Sequence, residues 1–141
     1  MEKILRGYIF SRHFMGERVP QNVQNIVIRD YCQRNNIKFL LSSTEYAMSN
    51  CNLMLSQTID ELDDINGIVA YSLFQLPSHH AERKELVERV LMKQREIHFA
   101  LENLIIKDRH SMEKVELIWS VKQTEVDCLK TQELATLDRS F

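Results

Sequence analysis

Short apolar runs alternate along this sequence with longer stretches in which apolar residues recur at helical spacing. The runs cover residues 4–11, 37–41, 68–73 and 97–101, and polar or turn-forming residues lie between them. Runs of this length that are rich in β-branched and aromatic residues predict strands. The third run begins Ile-Val-Ala-Tyr without a polar residue, so we expect this strand to be buried on both faces.

The stretches that follow the runs carry the signals of helices. Pro20 suits the first turn of a helix, and Val23, Val27 and Tyr31 then fall on one helical face. Serines that suit the N-cap position begin the other three predicted helices: Ser49, Ser78 and Ser111. The pattern is therefore four strands that alternate with four helices.

Alternating strands and helices of this length imply parallel strands joined by right-handed crossovers. The sequence thus predicts an α/β fold, a three-layer sandwich with a mainly parallel four-stranded sheet and helices on both faces. We expect a single domain over residues 1–123. Residues 124–141 are polar and aperiodic, and we expect a C-terminal tail there, either a short helix or disordered.

Charge and composition narrow the function classes. The chain has 141 residues, with 18 Lys and Arg against 20 Asp and Glu, and its formal net charge is -2. A duplex-DNA binder usually carries a basic excess, so this balance predicts no nucleic-acid partner. No long apolar run and no signal peptide are present, which predicts no membrane span. The three cysteines lack zinc spacing, and a reduced, cytoplasmic location is the simplest interpretation.

No cofactor or metal is predicted. The sequence contains neither GxxxxGK nor GxGxxG, the two glycine-rich patterns that bind nucleotide phosphates. His79 and His80 are adjacent on a predicted helix, so their side chains point in different directions and make a poor metal site. His98 lies within a predicted strand, where a hydrogen-bonded core histidine is the simpler interpretation.

A ligand site is expected at the carboxyl ends of the strands, because open parallel sheets bind ligands there. Ser11 is a candidate nucleophile, and Glu45 is a candidate general base or an anchor for a hydroxyl group. Arg12 and Arg18 lie in one loop before a helix, and this placement suits a phosphate or a carboxylate. Further polar contacts to the ligand are predicted at the following positions: Gln21, Ser43, Ser72 and Gln75.

Structural roles for the same residues stay open beside these functional ones. Arg12 could pair with Glu17 or with Glu45, which would remove both from ligand binding. Phe14 and Tyr46 could stack on a ring of the ligand or could cover the edge of the sheet.

Residues 7–12 read Gly-Tyr-Ile-Phe-Ser-Arg, and Gln21 and Gln24 open the helix that follows. The order of elements over residues 4–120 resembles the catalytic domain of serine recombinases of the resolvase/invertase type, whose first strand reads Gly-Tyr-x-Arg-x-Ser. Phe10 stands where that family has Arg, and Arg12 stands where it has the nucleophilic Ser. In the third strand, Phe74, Gln75 and Ser78 replace the family's Asp, Arg and Arg. The resemblance implies a resolvase-like or flavodoxin-like strand order without the recombination activity.

A second resemblance rests on residues 7–12 together with a further set of segments: residues 14–21, 24–25, 28–32, 44–48 and 71–77. This combination is similar to the sporadic carbohydrate cluster proteins of bacteria, which are encoded among genes for surface polysaccharides. It implies a role in O-antigen or capsule biosynthesis. The implied partners are a sugar phosphate or a nucleotide sugar, a glycosyltransferase of the pathway, and a second copy of the chain.

Two functions stay open at this point. The first is an enzyme that acts on a phosphorylated or nucleotide-activated sugar at the strand ends. The second is a non-catalytic module that senses a ligand or binds a partner in the same pathway, with an exposed apolar patch or a dimer face at Trp119. A DNA binder of the recombinase fold is disfavoured by the charge balance and by the missing arginines.

Overall fold

The computed structural model describes residues 2–13, 18–48 and 51–139, with side chains up to residue 125. The strands are β1 (Lys3–Ile9), β2 (Ile37–Thr44), β3 (Gly67–Ala70), β4 (Glu96–Phe99) and β5 (Leu104–Ile106). The α-helices are α1 (Gln21–Arg34), α2 (Leu53–Asp60), α3 (His80–Met92) and α4 (Arg109–Arg139), and short 3₁₀ turns cover Leu62–Asp64 and Leu73–Gln75.

The strands form one five-stranded sheet in the order β2-β1-β3-β4-β5. The pairs β1-β2, β1-β3 and β3-β4 are parallel, as the alternation of elements predicts. The prediction of four strands is wrong, because β5 pairs antiparallel with β4 at the edge of the sheet. The three-residue strand follows a tight turn in which Asn103 has a φ of 55°, and an apolar run this short gives no strand signal by itself.

The alternation of side chains along the strands divides the core between the two faces of the sheet. Leu5, Ile9 and Val69 face α1, where Ile28 packs against them. The opposite face is covered by α2, α3 and α4, and the larger cluster of buried residues lies there. Each fully buried aliphatic side chain contributes about 1.5–3 kcal/mol to folding, so both faces stabilise the sheet.

Helix α4 begins with reciprocal hydrogen bonds between Asp108 and Ser111. The Asp108 carboxylate accepts from the Ser111 amide at 2.8 Å, and the Ser111 hydroxyl accepts from the Asp108 amide at 3.0 Å. Asp108 is therefore the N-cap residue of α4. The prediction that Ser111 caps this helix is wrong, because Ser111 lies one turn further along the helix. Met112, Val115 and Trp119 bury one face of α4 against the sheet. The helical backbone continues to Arg139, and a domain boundary at residue 123 stays a prediction.

A half-buried ion pair fixes α4 against α3. The guanidinium of Arg83 meets both carboxylate oxygens of Glu116 at 2.7 Å and lies 4.4 Å from the centre of the Trp119 ring. It also donates to the carbonyls of Pro77 and Ser78, each at 3.0 Å. The Ser78 carbonyl is thus engaged, and His79 rather than Ser78 occupies the N-cap position of α3. The remaining predicted cap, Ser49, lies outside the described residues.

Within the described part of the chain, no helix has the length and apolar character to cross a membrane.

Candidate functional site

The carboxyl ends of β1, β2 and β3 meet at one edge of the sheet, which we call the carboxyl edge. Ser11 and Arg12 follow β1, Glu45 follows β2, and Ser72 and Gln75 follow β3. The topology therefore brings these predicted site residues to the same edge, as expected for parallel strands. Their hydrogen bonds decide what each of them is able to do.

The side chain of Glu45 is directed into the protein and is only 2% exposed. Its carboxylate accepts hydrogen bonds from the Tyr8 hydroxyl at 3.0 Å and from the backbone amides of Met54 and Leu55 at 2.9 and 3.1 Å. It also accepts from its neighbour Tyr46 N at 3.2 Å. A carboxylate at a helix N-terminus satisfies amides that have no partner within the helix and interacts favourably with the helix dipole. Glu45 thus caps α2 and joins it to β1.

Tyr8, which donates to Glu45, is itself buried in the core. Burial raises the pKa of the Tyr8 hydroxyl well above its ordinary value, and the nearby Glu45 carboxylate raises this pKa further. The hydroxyl is therefore protonated at neutral pH and serves as a donor to Glu45.

Arg12 holds the loop after β2, and no acidic side chain among the described residues pairs with it. Its Nη1 donates to the carbonyl oxygens of Met48 at 2.9 Å and Cys51 at 2.6 Å, and its guanidinium lies 4.5 Å from the centre of the Phe10 ring. Glu17, one of its predicted partners, lies outside the described residues. A guanidinium that is engaged by two carbonyls and a ring has less freedom to move toward a ligand than an exposed one.

Gln24 and Gln75 link β1 to β3 below this edge. Gln24 is fully buried, and its Nε2 donates to the carbonyls of Phe10 at 2.6 Å and Val19 at 2.8 Å. Its Oε1 accepts from Phe10 N at 3.3 Å and from Gln75 Nε2 at 2.8 Å. Gln75 Oε1 in turn accepts from the amides of Tyr71 and Ser72 at 3.0 and 3.3 Å. The two amide side chains thus hold the ends of both strands.

Sequence reasoning placed Gln24 at the helix start without giving it a role. Its spacing indicates a buried position, because Gln24, Ile28 and Tyr31 recur at helical intervals and all three are buried. A glutamine on the buried face of a helix needs several hydrogen-bond partners, and the strand ends are the nearest backbone.

Ser72 and Glu102 form a second linked pair at the carboxyl edge. The Ser72 hydroxyl donates to Glu102 Oε2 at 2.8 Å, and the Leu73 amide donates to Oε1 at 2.7 Å. Burial raises the pKa of Glu102, while these hydrogen bonds partly oppose the shift. Glu102 follows β4 and is not among the site residues predicted from the sequence.

The remaining predicted site residues lie around this network. Ser11 is half-buried, and no hydrogen bond of its hydroxyl is found within the described ranges. Arg18 and Gln21 are exposed at the start of α1, and Ser43 accepts from the Thr58 hydroxyl at 3.0 Å. The structure thus brings Glu45 and Arg12 to one loop, and it brings Ser72 and Gln75 to one turn. The catalytic and ligand-binding roles of all eight residues stay predictions.

Two other interpretations concern histidines. No group of three His, Cys, Asp or Glu side chains among the described residues is arranged to hold a metal ion. His98 is buried in the sheet, where its Nδ1 meets the Tyr31 hydroxyl at 2.6 Å and its Nε2 meets Glu96 at 2.7 Å. This confirms the interpretation of His98 as a hydrogen-bonded core histidine.

Several solved structures share this fold, among them an integrase domain and a recombinase. The N-terminal catalytic domain of TP901-1 integrase matches with a TM-score of 0.62 and 12% identity, over 87% of this chain and 98% of that chain. A resolvase family site-specific recombinase from Streptococcus pneumoniae matches with a TM-score of 0.58 and 7% identity, over 96% of this chain and 99% of that chain. At these identities the likeness shows the fold, and it confirms the predicted resolvase-like α/β architecture.

No protein-family model matches the chain, and a search of curated proteins finds no match. The resemblance to sporadic carbohydrate cluster proteins is therefore not supported. The structural neighbours are recombinase domains, which contradicts the predicted role in surface-carbohydrate biosynthesis. The same finding contradicts the predicted sugar-phosphate or nucleotide-sugar partner and the expectation of no nucleic acid.

Proposed function

We propose that this chain is a DNA-binding domain of the serine-recombinase fold that holds DNA at its carboxyl edge without cutting it. The observation that carries the proposal is the agreement of the fold with two recombinase domains over 87% and 96% of the chain. The two neighbours are named as an integrase and a site-specific recombinase, and DNA is taken as the partner because recombination acts on DNA.

The hydrogen bonds at the carboxyl edge support the non-cutting part of the proposal. Strand transfer requires several cations that are free to neutralise the charge on a phosphoryl group. Arg12 is engaged by the carbonyls of Met48 and Cys51, and Phe10 is a buried hydrophobic residue where the recombinase pattern has Arg. The groups at this edge therefore stabilise loops instead of a transition state.

The net charge of -2 does not describe the carboxyl edge itself. Of the described residues, Glu45 and Glu102 are the acidic ones that directly follow the strands at this edge; Glu45 is buried and Glu102 half-buried, and both accept hydrogen bonds from the protein. Arg18 and His13 are exposed at the same edge. Local charge determines where a phosphate backbone is attracted, so a phosphate contact is expected at Arg18.

Fluorescence anisotropy with a short labelled duplex tests the DNA-binding part. Contact with about two phosphates predicts about a tenfold loss of affinity between about 50 and about 200 mM salt. Arg18→Ala should lower the slope of log affinity against log salt by about one, while Lys84→Ala on the exposed side of α3 leaves it unchanged. The absence of any salt-dependent binding would overturn the proposal.

A supercoiled plasmid tests whether the chain cuts DNA. We expect the plasmid to remain supercoiled and no covalent protein–DNA species to appear on a denaturing gel. A covalent species that disappears in Ser11→Ala would instead identify Ser11 as a nucleophile, and the non-cutting part of the proposal would then be wrong.

The cytoplasmic location predicted from the sequence belongs to this proposal, since DNA is the expected partner.

A further inference from the structure

A hollow of about 710 Å³ lies between the start of α3 and the middle of α4, and we call it the α3–α4 hollow. Residues 78–80 and Arg83 line one side of it, and Glu116, Trp119 and Ser120 line the other. Its volume lies within the range of about 300–1,000 Å³ that is typical of small-molecule sites. None of the eight site residues predicted from the sequence lines it, so it is a separate candidate site.

Trp119 lies at the inner wall of the α3–α4 hollow and is only 5% exposed. Its Nε1–H is buried, and no hydrogen-bond partner for it is found in the described part of the chain. Buried donors in native proteins are nearly always paired, so this N–H calls for an acceptor that the protein does not supply. The outer wall carries the exposed side chains of Ser120 and Thr124, which change rotamer within nanoseconds and can admit one.

The start of α3 brings further donors to the same hollow. No side chain caps this helix, and the backbone amides of residues 80–82 have no partner among the residues that the structure describes. The first amides of a helix and the helix dipole both favour a negatively charged group. Glu82 of this first turn does not fill that position, because its carboxylate accepts from Asn52 Nδ2 at 2.9 Å on the side of α2.

The charged groups of the wall are already paired with each other. Glu116 accepts from Arg83 at 2.7 Å through both of its oxygens, and one of them also meets His80 Nδ1 at 2.8 Å. Arg83 in addition donates to the carbonyls of Pro77 and Ser78. The ion pair is therefore closed on itself, and the unpaired N–H groups of the wall determine what a ligand must bring, which is an acceptor.

From this arrangement we infer that the α3–α4 hollow binds a small organic carboxylate, whose oxygens lie between Trp119 Nε1 and the first amides of α3. A charged acceptor is favoured over a neutral one, because charge-assisted hydrogen bonds are about twice as strong and the helix dipole adds to them. A carboxylate is favoured over a phosphate dianion, because the Glu116 carboxylate in the wall repels a second negative charge. The inference does not rest on the proposed function.

Three probes of similar size test the inference: benzoate, its neutral amide benzamide, and phenyl phosphate. Trp119 is the single tryptophan of the chain, so its fluorescence reports directly on the hollow. At constant ionic strength, we expect benzoate to change this fluorescence saturably and to bind about tenfold more tightly than benzamide. Phenyl phosphate should bind more weakly than benzoate.

Two variants locate the carboxylate, with affinities measured by calorimetry. Trp119→Phe keeps an aromatic ring beside Arg83 but removes the N–H, and benzoate affinity should fall about tenfold. Leu117→Ala, at an exposed position of α4 outside the hollow, is the control that should leave the affinity unchanged.

His79→Asp separates loss of the site from loss of the fold. An aspartate at this N-cap position would occupy the first amides of α3, so benzoate affinity should fall while the urea midpoint stays the same or rises. His110→Asp makes the same change of charge at an exposed position outside the hollow and should leave benzoate affinity unchanged.

Equal affinity for benzoate and benzamide, or a fluorescence change that does not saturate, would overturn the inference. Unchanged benzoate affinity in both Trp119→Phe and His79→Asp would overturn it as well. Tighter binding of phenyl phosphate than of benzoate would disprove the assignment to a carboxylate.

Discussion

The carboxylate of Glu45 accepts hydrogen bonds from a strand residue and from the first amides of a helix, so its loss affects two elements at once. Its partners Tyr8 and Leu55 lie 37 and 10 residues away in the chain. A local sequence pattern carries no information about partners at such separations. Sequence reasoning therefore identified a carboxylate at the carboxyl edge but left its orientation open.

The Glu45→Gln variant tests this role at the residue scale. The amide has one acceptor oxygen instead of two, and its NH₂ group faces donors, so buried amides of α2 would lose their partner. We expect the free energy of unfolding to fall by about 2–4 kcal/mol, as measured by urea denaturation. Glu61→Gln is the matched control, because Glu61 is exposed and its carboxylate accepts from Gln57 Nε2 at the surface, and a comparable loss there would contradict the argument.

At the scale of elements, the Arg83–Glu116 pair determines how α4 packs against α3. The side chain of Arg83 is 5% exposed and that of Glu116 is 21% exposed, so removal of the arginine would leave a poorly solvated carboxylate. The guanidinium bonds also lower the pKa of Glu116, against the effect of burial, which keeps this carboxylate charged.

Substitution of Arg83 by Met should therefore destabilise the fold by about 3–5 kcal/mol. Trp119, the single tryptophan of the chain, should shift its emission to longer wavelength as its contact with the guanidinium is lost. Arg34→Met is the control, since Arg34 pairs with Asp30 on the surface with both side chains more than 60% exposed. We expect Arg34→Met to lower the free energy of unfolding by less than about 0.5 kcal/mol. Equal losses in the two variants would disprove the role of Arg83.

The elements that the sequence predicts well are those whose signal is local. The third strand and α1 were found because apolar runs and helical spacing reflect burial directly. Strand β5 was missed because its three residues become a strand only through pairing with β4. Strand β2 extends beyond its predicted end to Thr44, since Ser43 and Thr44 still pair with Tyr8 and Ile9 of β1 after an irregularity in the register.

The candidate site also divides into features with a local signal, which could be predicted, and features that depend on distant partners. Its position at the carboxyl edge could be predicted, because parallel topology alone places the strand ends together. The hydrogen bonds of Arg12 and Gln75 could not be predicted. Their partners are backbone carbonyls, backbone amides and a buried glutamine, all from distant segments of the chain.

At the scale of the whole molecule, the buried His98 links global stability to pH. Burial lowers its pKa below the ordinary value of 6.5, and the hydrogen bond to Glu96 partly opposes this shift. The unfolded chain therefore binds the proton more readily than the folded chain. The contribution of neutral His98 to stability is complete above pH 6.5, its pKa in the unfolded chain. This contribution declines as the pH falls from 6.5 toward the lower pKa of His98 in the folded chain.

The urea concentration at the midpoint of unfolding should therefore be lower at about pH 5.5 than at about pH 7.5. The partners of His98 titrate outside this window, because the pKa of Glu96 is lowered from 4.5 and that of Tyr31 is raised from 10.0. His98→Gln should reduce the pH dependence, while His110→Gln, at an exposed position, should preserve it. An unchanged dependence in His98→Gln would exclude His98 as its source.

The burial of Phe10 also constrains the evolutionary routes open to this chain. Its side chain is 1% exposed, and Gln24 occupies both its amide and its carbonyl. An arginine that arose alone at position 10 would place an unpaired charge in the core, at a cost of several kcal/mol from a total stability of about 5–15 kcal/mol. Such an intermediate would be less stable than the present chain until compensating changes at Gln24 and Gln75 appeared. A lineage with this core therefore has no single-substitution path to the recombinase arginine pattern.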